Sequence, residues 1–433
     1  MSLLLLALET LLAPFAALGV LLSFLFSRRR GVLAGLASEL PERLGGLSEG
    51  GRVRLMGREV WWLHAASAGE VGGLAPLISA LAARPSPPAV LVTTTTVAGR
   101  EAARRNPHVD WAQLAPFDAW PCVARFLSEI RASRLVLTET ELWPTLILLS
   151  ARAGLRPTLI NARMSERSLP RYRAAAPFLK PVLAALDAVL AQSEADAERF
   201  RAAGTPAGKV SVAGNTKYDR GAALRDDDAG ATSALVKLEW TGAPLFVAGS
   251  THPVEEEAVL AAFLRARKAE PRLRLVIAPR HVERAAETLA AMRASGLRVA
   301  RLTELETSPA ADADILVLDS MGALLGYWPK AVAAFVGGTL VPVGGHNLME
   351  PALAGVPVLF GPHTAHIDLP ARALEAGGGG LRAADPEALA ALLLGLLSDP
   401  ARARAAGRQA LAAAESLRGA TDRTLAALGR RRD

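Results

Sequence analysis

The chain is expected to be an α/β protein built from two doubly wound, Rossmann-like domains. Three observations carry that expectation. From about Val60 onward, short apolar runs alternate with segments of helical periodicity. Each run is apolar at consecutive positions, as a strand covered on both faces must be. A polar, glycine-punctuated stretch then divides the alternation into two sets. Such alternation builds a parallel sheet with helices on both faces.

In the first set, VWWLHAAS (60–67), AVLVTTTT (89–96), RLVLTETE (134–141), PTLINAR (157–163) and AVLAQS (188–193) read as strands. The segments 69–83 and 117–130 between them carry apolar residues at three- and four-residue spacing. Residues 214–243, GNTKYDRGAALRDDDAGATSALVKLEWTGA, read as a linker. The second set is LFVAGS, LRLVIAPR, DILVLDS, AAFVGGT and PVLFGP, and the Ala/Leu/Arg-rich tail from Asp385 to Gly429 reads as one or two helices. The expected division is an N-terminal anchor helix over 1–27, a first domain over 28–214, and a second domain with the terminal helices over 215–433.

The anchor expectation rests on Leu3–Phe26, an apolar stretch interrupted by Glu9 and followed directly by Arg28, Arg29 and Arg30. At ~1.5 Å per residue it extends about 36 Å, enough for a tilted span. A secretory signal has its positive charge before the apolar core, and here it follows. The positive-inside tendency then puts the remainder of the chain on the cytoplasmic side. Pro14 and Glu9 also suit a helix that only dips into one leaflet.

At 433 residues the chain has room for two full domains. Its single cysteine, Cys122, excludes an internal disulfide and suits packing. The net charge of +7 is unevenly spread: residues 28–214 hold 24 Lys and Arg against 16 Asp and Glu, whereas 215–433 hold 25 of each. A basic first half points to an anionic lipid or a phosphorylated acceptor. No RNA-binding motif or aromatic-interleaved basic strand appears, which argues against nucleic acid.

Ligands of open α/β sheets bind outside the carboxyl ends of the strands, and the polar motifs here fall just after apolar runs. HAASAGE (64–70) bends through Ser-Ala-Gly into a helix, with Glu70 in its first turn. A Glu there suits the helix dipole; at a strand end it also suits a general base that takes the proton of a sugar hydroxyl. His64 reads as a structural hydrogen-bonder. TETELWP (138–144) sets Glu139 and Glu141 on one side of a strand end, and no further Asp or His at metal spacing accompanies them, so acceptor binding or bracing of the loop is expected. NARMSERSLPRYR (161–173) brings Arg163, Arg167, Arg171 and Arg173, whose guanidinium forks match phosphate and carboxylate.

In the second set, AGSTH with Ser250 and APRH with Pro279 and Arg280 each end a strand. DSMGALLGYW supplies the turn Met321, Gly322, Ala323. The stretch Phe335–Pro362, FVGGTLVPVGGHNLMEPALAGVPVLFGP, is the richest of all. It reads as strand, glycine turn, helix start and strand, with Gly345, Asn347, Leu348, Met349 and Glu350 at the helix start. Unpaired N–H groups there suit a phosphate, and Glu350 suits a ribose. Two such domains form the glycosyltransferase-B arrangement: a cleft with the acceptor on the first domain and a nucleotide-sugar donor on the second.

These motifs together resemble the 3-deoxy-D-manno-octulosonic acid (Kdo) transferases of lipopolysaccharide synthesis. HAASAGE, TTTTVAGRE, ETELWP, NARMSERS, GNTKYD, GSTH, PRHVER, DSMG, FVGG and GGHNLMEP follow the family's order from about Pro41 to Pro362. The resemblance implies inverting transfer of Kdo from CMP-Kdo to a lipid A precursor at the inner membrane, with neither metal nor cofactor. It makes Glu70 the general base and Pro279, Arg280, Met321, Gly322 and Asn347 to Glu350 the CMP-contacting segments. Members of the family tend to have an acidic residue where this chain has Ala323, so a backbone role is implied for that turn. The rival expectations are a transferase using a UDP sugar, a UDP-sugar epimerase of the same fold, and a non-catalytic membrane-anchored binding protein.

Overall fold

Consecutive apolar positions become strands covered on both faces. Val60–Ala65 (β1) and Ala89–Thr94 (β2) are buried at every position. Neighbouring side chains of β1 point to opposite faces, so Trp61 and Trp62 serve different cores. Trp62 lies in one core with Leu91, Leu137 and Phe200, its ring edge-on to Phe126 at 5.0 Å. Trp61 lies in the opposite core, with Leu74, Ile78, Val136 and Leu190. The computed structural model describes residues 38–219, 228–305 and 313–429. The apolar stretch Leu3–Phe26 and Arg28–Arg30 lie outside the described residues. Among the described residues no helix is long and apolar enough to cross a membrane.

The first sheet continues with Trp111–Leu114 (β3), Ala132–Thr138 (β4), Arg156–Ala162 (β5), Ala188–Ala191 (β6) and Val210–Val212 (β7). Its order is β3-β2-β1-β4-β5-β6-β7, with every pairing parallel. The order reverses between β1 and β4, and a crevice opens at such a switch point beyond the strands' carboxyl ends.

The second sheet is Leu245–Thr251 (β8), Arg274–Pro279 (β9), Val299–Arg301 (β10), Ile315–Val317 (β11), Ala331–Val336 (β12), Val358–Phe360 (β13) and Gly380–Arg382 (β14). Its order, β10-β11-β9-β8-β12-β13-β14, is again parallel throughout and reverses between β8 and β12. Phe246, Phe263, Ile277, Phe335 and Leu393 form the core on one face. Both sheets are doubly wound, as expected. The short strands β3, β7, β10 and β14 were not foreseen.

The chain divides into two units, Met1–Arg220 with Arg418–Asp433, and Gly221–Leu417. The helix Ala420–Gly429 therefore belongs with the first unit, whereas the sequence reading assigned the whole tail to the second. It packs on the helix Ala68–Ala82, with Leu428 in the core around Trp61. Asp219 fixes its start by accepting the N–H groups of Gly419 (2.7 Å) and Thr421 (2.6 Å).

The stretch read as a linker is also more structured than expected. Asn215 and Thr216 are buried in the first unit, and Asp228–Lys237 is a helix of the second. Leu238 and Trp240 are buried beyond it, and the Trp240 indole donates to Ala313 O at 2.9 Å. Polar composition concealed side chains that satisfy buried backbone groups rather than water.

Candidate active site

In the first unit Glu70 stands where β1 and β4 diverge. Ser67 is the N-cap of the helix Ala68–Ala82 and its hydroxyl accepts from the Glu70 N–H. The Glu70 carboxylate reaches back past the cap to the residue before it. Oε1 accepts from Ser67 Oγ (3.0 Å), and Oε2 accepts from the Ala66 N–H (2.9 Å) and from Thr138 Oγ1 at the end of β4 (2.9 Å). Three donors thus lock the carboxylate against both strands of the switch point. A carboxylate oxygen accepts about two hydrogen bonds, so Oε1 keeps one acceptor position.

The two glutamates after β4 do not share a side. The strand ends at Thr138, and Glu139 turns out of it at φ +53°. Its carboxylate meets Lys217 Nζ at 2.6 Å. Glu141 instead accepts the Trp143 indole N–H at 2.6 Å and lies 3.6 Å from His64 Nε2. Burial raises the Glu141 carboxyl, but His64 and Trp143 outweigh it and hold it below the usual range. Both side chains thus make bracing contacts within the first unit. His64 is buried, and its Nδ1 shares Thr93 Oγ1 with the Trp62 indole, which fits its structural reading.

Arg163, Arg167, Arg171 and Arg173 are exposed in the segment after β5. Asn161, at φ +50° near the end of β5, exchanges hydrogen bonds with buried Thr216. The Thr216 hydroxyl then donates to Gly73 O at 2.6 Å. The NAR and GNTK motifs are thereby tied to the helix carrying Glu70. Non-glycine residues in the left-handed region cost of order 1 kcal/mol or more and persist where surroundings enforce them. Glu139, Asn161 and Ser250 all do so at or next to strand ends bearing motifs.

In the second unit the organising residue is Glu255, which sequence reasoning missed. It is fully buried near the start of the helix Pro253–Arg267. Its Oε2 accepts the N–H groups of Gly338 (2.7 Å) and His252 (3.1 Å); Oε1 accepts those of Thr339 and Leu340, both at 2.9 Å. One carboxylate thus shapes the turn leaving β12 and fastens it to the end of β8, across the second switch point. The spacing in Thr-His-Pro-Val-Glu, a cap position followed three residues later by Glu, was the available signal.

The proposed donor residues gather on this edge. Ser250 adopts φ +56° in β8, and Pro279 is buried at the end of β9. Arg280 is exposed, its N–H bonded to Thr251 O at 2.9 Å. Gly345 closes the loop by donating to Gly338 O at 2.7 Å. Leu348 and Met349 are buried, so only their backbone can meet a ligand. Asn347 Oδ1 accepts the Met349 N–H, and Asn347 Nδ2 donates to Glu350 Oε1, both at 3.0 Å.

The helix expected to bind phosphate is only Met349–Leu353, five residues, and Asn347 caps its first N–H. Its dipole is correspondingly small, which corrects the expectation of an open helix terminus. Met321 is exposed, Gly322 adopts φ +85°, and Ala323 begins a 3₁₀ turn. Trp328, just beyond, donates to Glu350 Oε2 at 3.4 Å. A Cβ on Gly249 would fall 2.7 Å from the Trp328 ring, so this turn sits directly on β8. Thr138, Thr216, Glu255 and Trp328 are the positioning residues absent from the sequence reading.

Each unit is a doubly wound sheet, the first with a braced carboxylate at its switch point and the second with a basic, glycine-turned edge, which is the two-sheet make-up of the glycosyltransferase-B fold class. The model of the family described as 3-deoxy-D-manno-octulosonic-acid transferase (Kdo transferase) matches residues 38–220. The chain is 36% identical to the 3-deoxy-D-manno-octulosonic acid transferase of Bordetella pertussis over 379 residues, 85% of this chain and 86% of that protein. It is 30% identical to that of Haemophilus influenzae over 70% of each chain. The chain belongs to the Kdo transferase family, a family of glycosyltransferases. The UDP-GlcNAc 2-epimerase from Neisseria meningitidis bound to UDP-GlcNAc shares its fold alone, at 12% identity and a TM-score of 0.57 over 86% of this chain and 99% of that one.

Proposed function

We propose that this chain moves Kdo, with inversion, from CMP-Kdo to a lipid A precursor of the lipid IVA type at the cytoplasmic face of the inner membrane, in lipopolysaccharide core synthesis. The observation that carries the reading is Glu70, a carboxylate held by three donors at the β1–β4 switch point with one acceptor position left on Oε1. The acceptor hydroxyl gives its proton to Glu70 as its oxygen bonds to the anomeric carbon of Kdo. The bond from that carbon to the phosphate oxygen breaks with its electron pair, and CMP departs. A single displacement of this kind inverts the centre.

Ser250, Pro279, Arg280, the turn Met321 to Ala323, Gly345 and the segment Asn347 to Glu350 are the donor-binding residues of this reading. Arg163 and Arg167 supply acceptor recognition, their exposure matching the phosphates of a lipid A precursor. Glu139 and Glu141 hold the acceptor loop through Lys217, Trp143 and His64. The segment Leu3–Phe26 anchors the chain, and the basic surplus of residues 28–214 favours an anionic membrane surface.

The test is incubation of the full chain with CMP-Kdo and a tetraacylated lipid A precursor, with mass spectrometry of the lipid. Addition of one or more Kdo masses is expected. Glu70→Gln should lower turnover about 10²- to 10⁴-fold, the range for a lost general base, and leave CMP affinity within twofold. No product from CMP-Kdo alongside product from a UDP sugar would overturn the donor assignment. Unchanged turnover in Glu70→Gln would remove it as the base.

A further inference from the structure

At the second switch point two imidazoles face one another. His252 follows β8, and His346 ends the glycine turn after β12. Their Nε2 atoms are 3.0 Å apart and the rings are nearly parallel, 12° between planes. At that distance one nitrogen donates its proton and the other accepts it. Both rings are half-buried.

The backbone around them is shaped to hold them there. A Cβ on Gly338, at φ +71°, would come within 2.8 Å of the His346 ring; one on Gly344, at φ +102°, within 2.6 Å of His366. Glu255 fixes both ends, accepting the His252 and Gly338 N–H groups, and those contacts together with Thr339 and Leu340 occupy its carboxylate. The ionisable groups acting on His346 are Arg280, His252, His281 and His366, all of them basic. Burial first, and then these neighbours, hold His346 at about 4, so it is neutral at physiological pH and able to donate a hydrogen bond. The carboxylate beside the pair, Glu255, is taken up by four backbone N–H groups, and the remaining neighbours are basic, which suits an anion.

We propose that the His252–His346 pair, with Arg280 beside it, is the phosphate subsite of the donor, donating to the phosphate oxygen on which charge develops as the glycosidic bond breaks. The proposal rests on the donor being a nucleoside monophosphate sugar, as above. In the step, the carbon–oxygen bond to the phosphate breaks, its electron pair stays on that oxygen, and the phosphate goes from one negative charge to two. Each neutral ring carries one N–H, and the ring that donates its Nε2–H to the partner has none left, so the N–H offered to this oxygen is the Nδ1–H of the accepting ring; it stabilises the added charge, and no proton need leave the pair.

The experiment compares CMP with cytidine as ligands of the full chain by calorimetry, for the wild type, His346→Ala and His346→Gln, and for His252→Gln. Cytidine reports a folded nucleoside site; CMP adds only the phosphate. In the His346 variants CMP affinity should fall about 10-fold or more, as for a lost hydrogen bond to a charged group, while cytidine affinity stays within twofold. His252→Gln should show the same selective loss, smaller in size. Turnover with CMP-Kdo should fall further than CMP affinity, because the phosphate gains charge in the transition state. CMP and cytidine weakening in parallel, or neither weakening, would overturn the pair's role. A wild-type chain that binds neither CMP nor cytidine would instead overturn the donor assignment beneath it.

Discussion

Glu255→Gln is the substitution that most directly tests how the donor edge is held. The glutamate is fully buried and accepts four backbone N–H groups, two on each oxygen. Glutamine keeps the shape but leaves one acceptor oxygen. If that oxygen retains Thr339 and Leu340, the amide NH₂ confronts the N–H groups of Gly338 and His252, donor against donor. Two buried donors then lose their partner, at about 1–3 kcal/mol each, and the two that remain lose charge assistance. A loss of about 3 kcal/mol in local stability follows, equivalent to roughly 100-fold in an opening equilibrium.

The assay is hydrogen–deuterium exchange of a peptide spanning residues 337–345, read by mass spectrometry with a peptide from β1 as internal reference. Exchange of the Gly338, Thr339 and Leu340 amides should speed up about 100-fold and the β1 peptide should not change. Donor affinity should fall along with it, because His252 and the glycine turn lose their common tether. Protection of 337–345 preserved to within threefold would refute the assignment of Glu255 as the residue that shapes this edge. Equal loss in β1 would point to global unfolding instead.

Arg280→Ala should weaken CMP-Kdo binding about 10-fold, the loss of one charge-assisted contact, measured as the donor dissociation constant; an unaltered constant would remove Arg280 from the site. Glu141 supplies a pH dependence. Its carboxyl lies below the ordinary range, burial opposing but His64 and Trp143 prevailing, so the folded state favours its ionised form. Its stabilisation is therefore present above about pH 4.5 and lost as pH falls through the depressed folded value. Glu141→Gln should flatten the acid limb of the denaturation curve of the first unit, followed by urea titration at pH 3 to 7. A variant whose acid limb keeps the wild-type slope would show that Glu141 contributes nothing to it.

Much of this molecule was legible from composition and pattern. The two sets of apolar runs predicted the long central strands because a strand covered on both faces leaves no polar position to disguise it. β1, β2, β8 and β12 are the clearest cases. The edge strands β3, β7, β10 and β14 escaped because they are only three or four residues long and WAQL, VSV, VAR and GLR carry no comparable signature. The polar stretch 214–219 was misread for a related reason. Asn215, Thr216 and Asp219 look like linker residues, yet they serve buried backbone groups and a helix cap.

The sequence by itself determined the class of fold, the family and the strand ends on which the motifs lie, since glycines, capping residues and apolar runs act locally. Only the tertiary structure decided which motifs become neighbours, because strand order is a non-local property. Parallel pairing of β1 with β4 is what brings Thr138 onto Glu70, across 68 residues. Pairing of β8 with β12 is what brings His252 to His346 and lets Glu255 hold the turn between them, across separations of 94 and 83 to 85 residues.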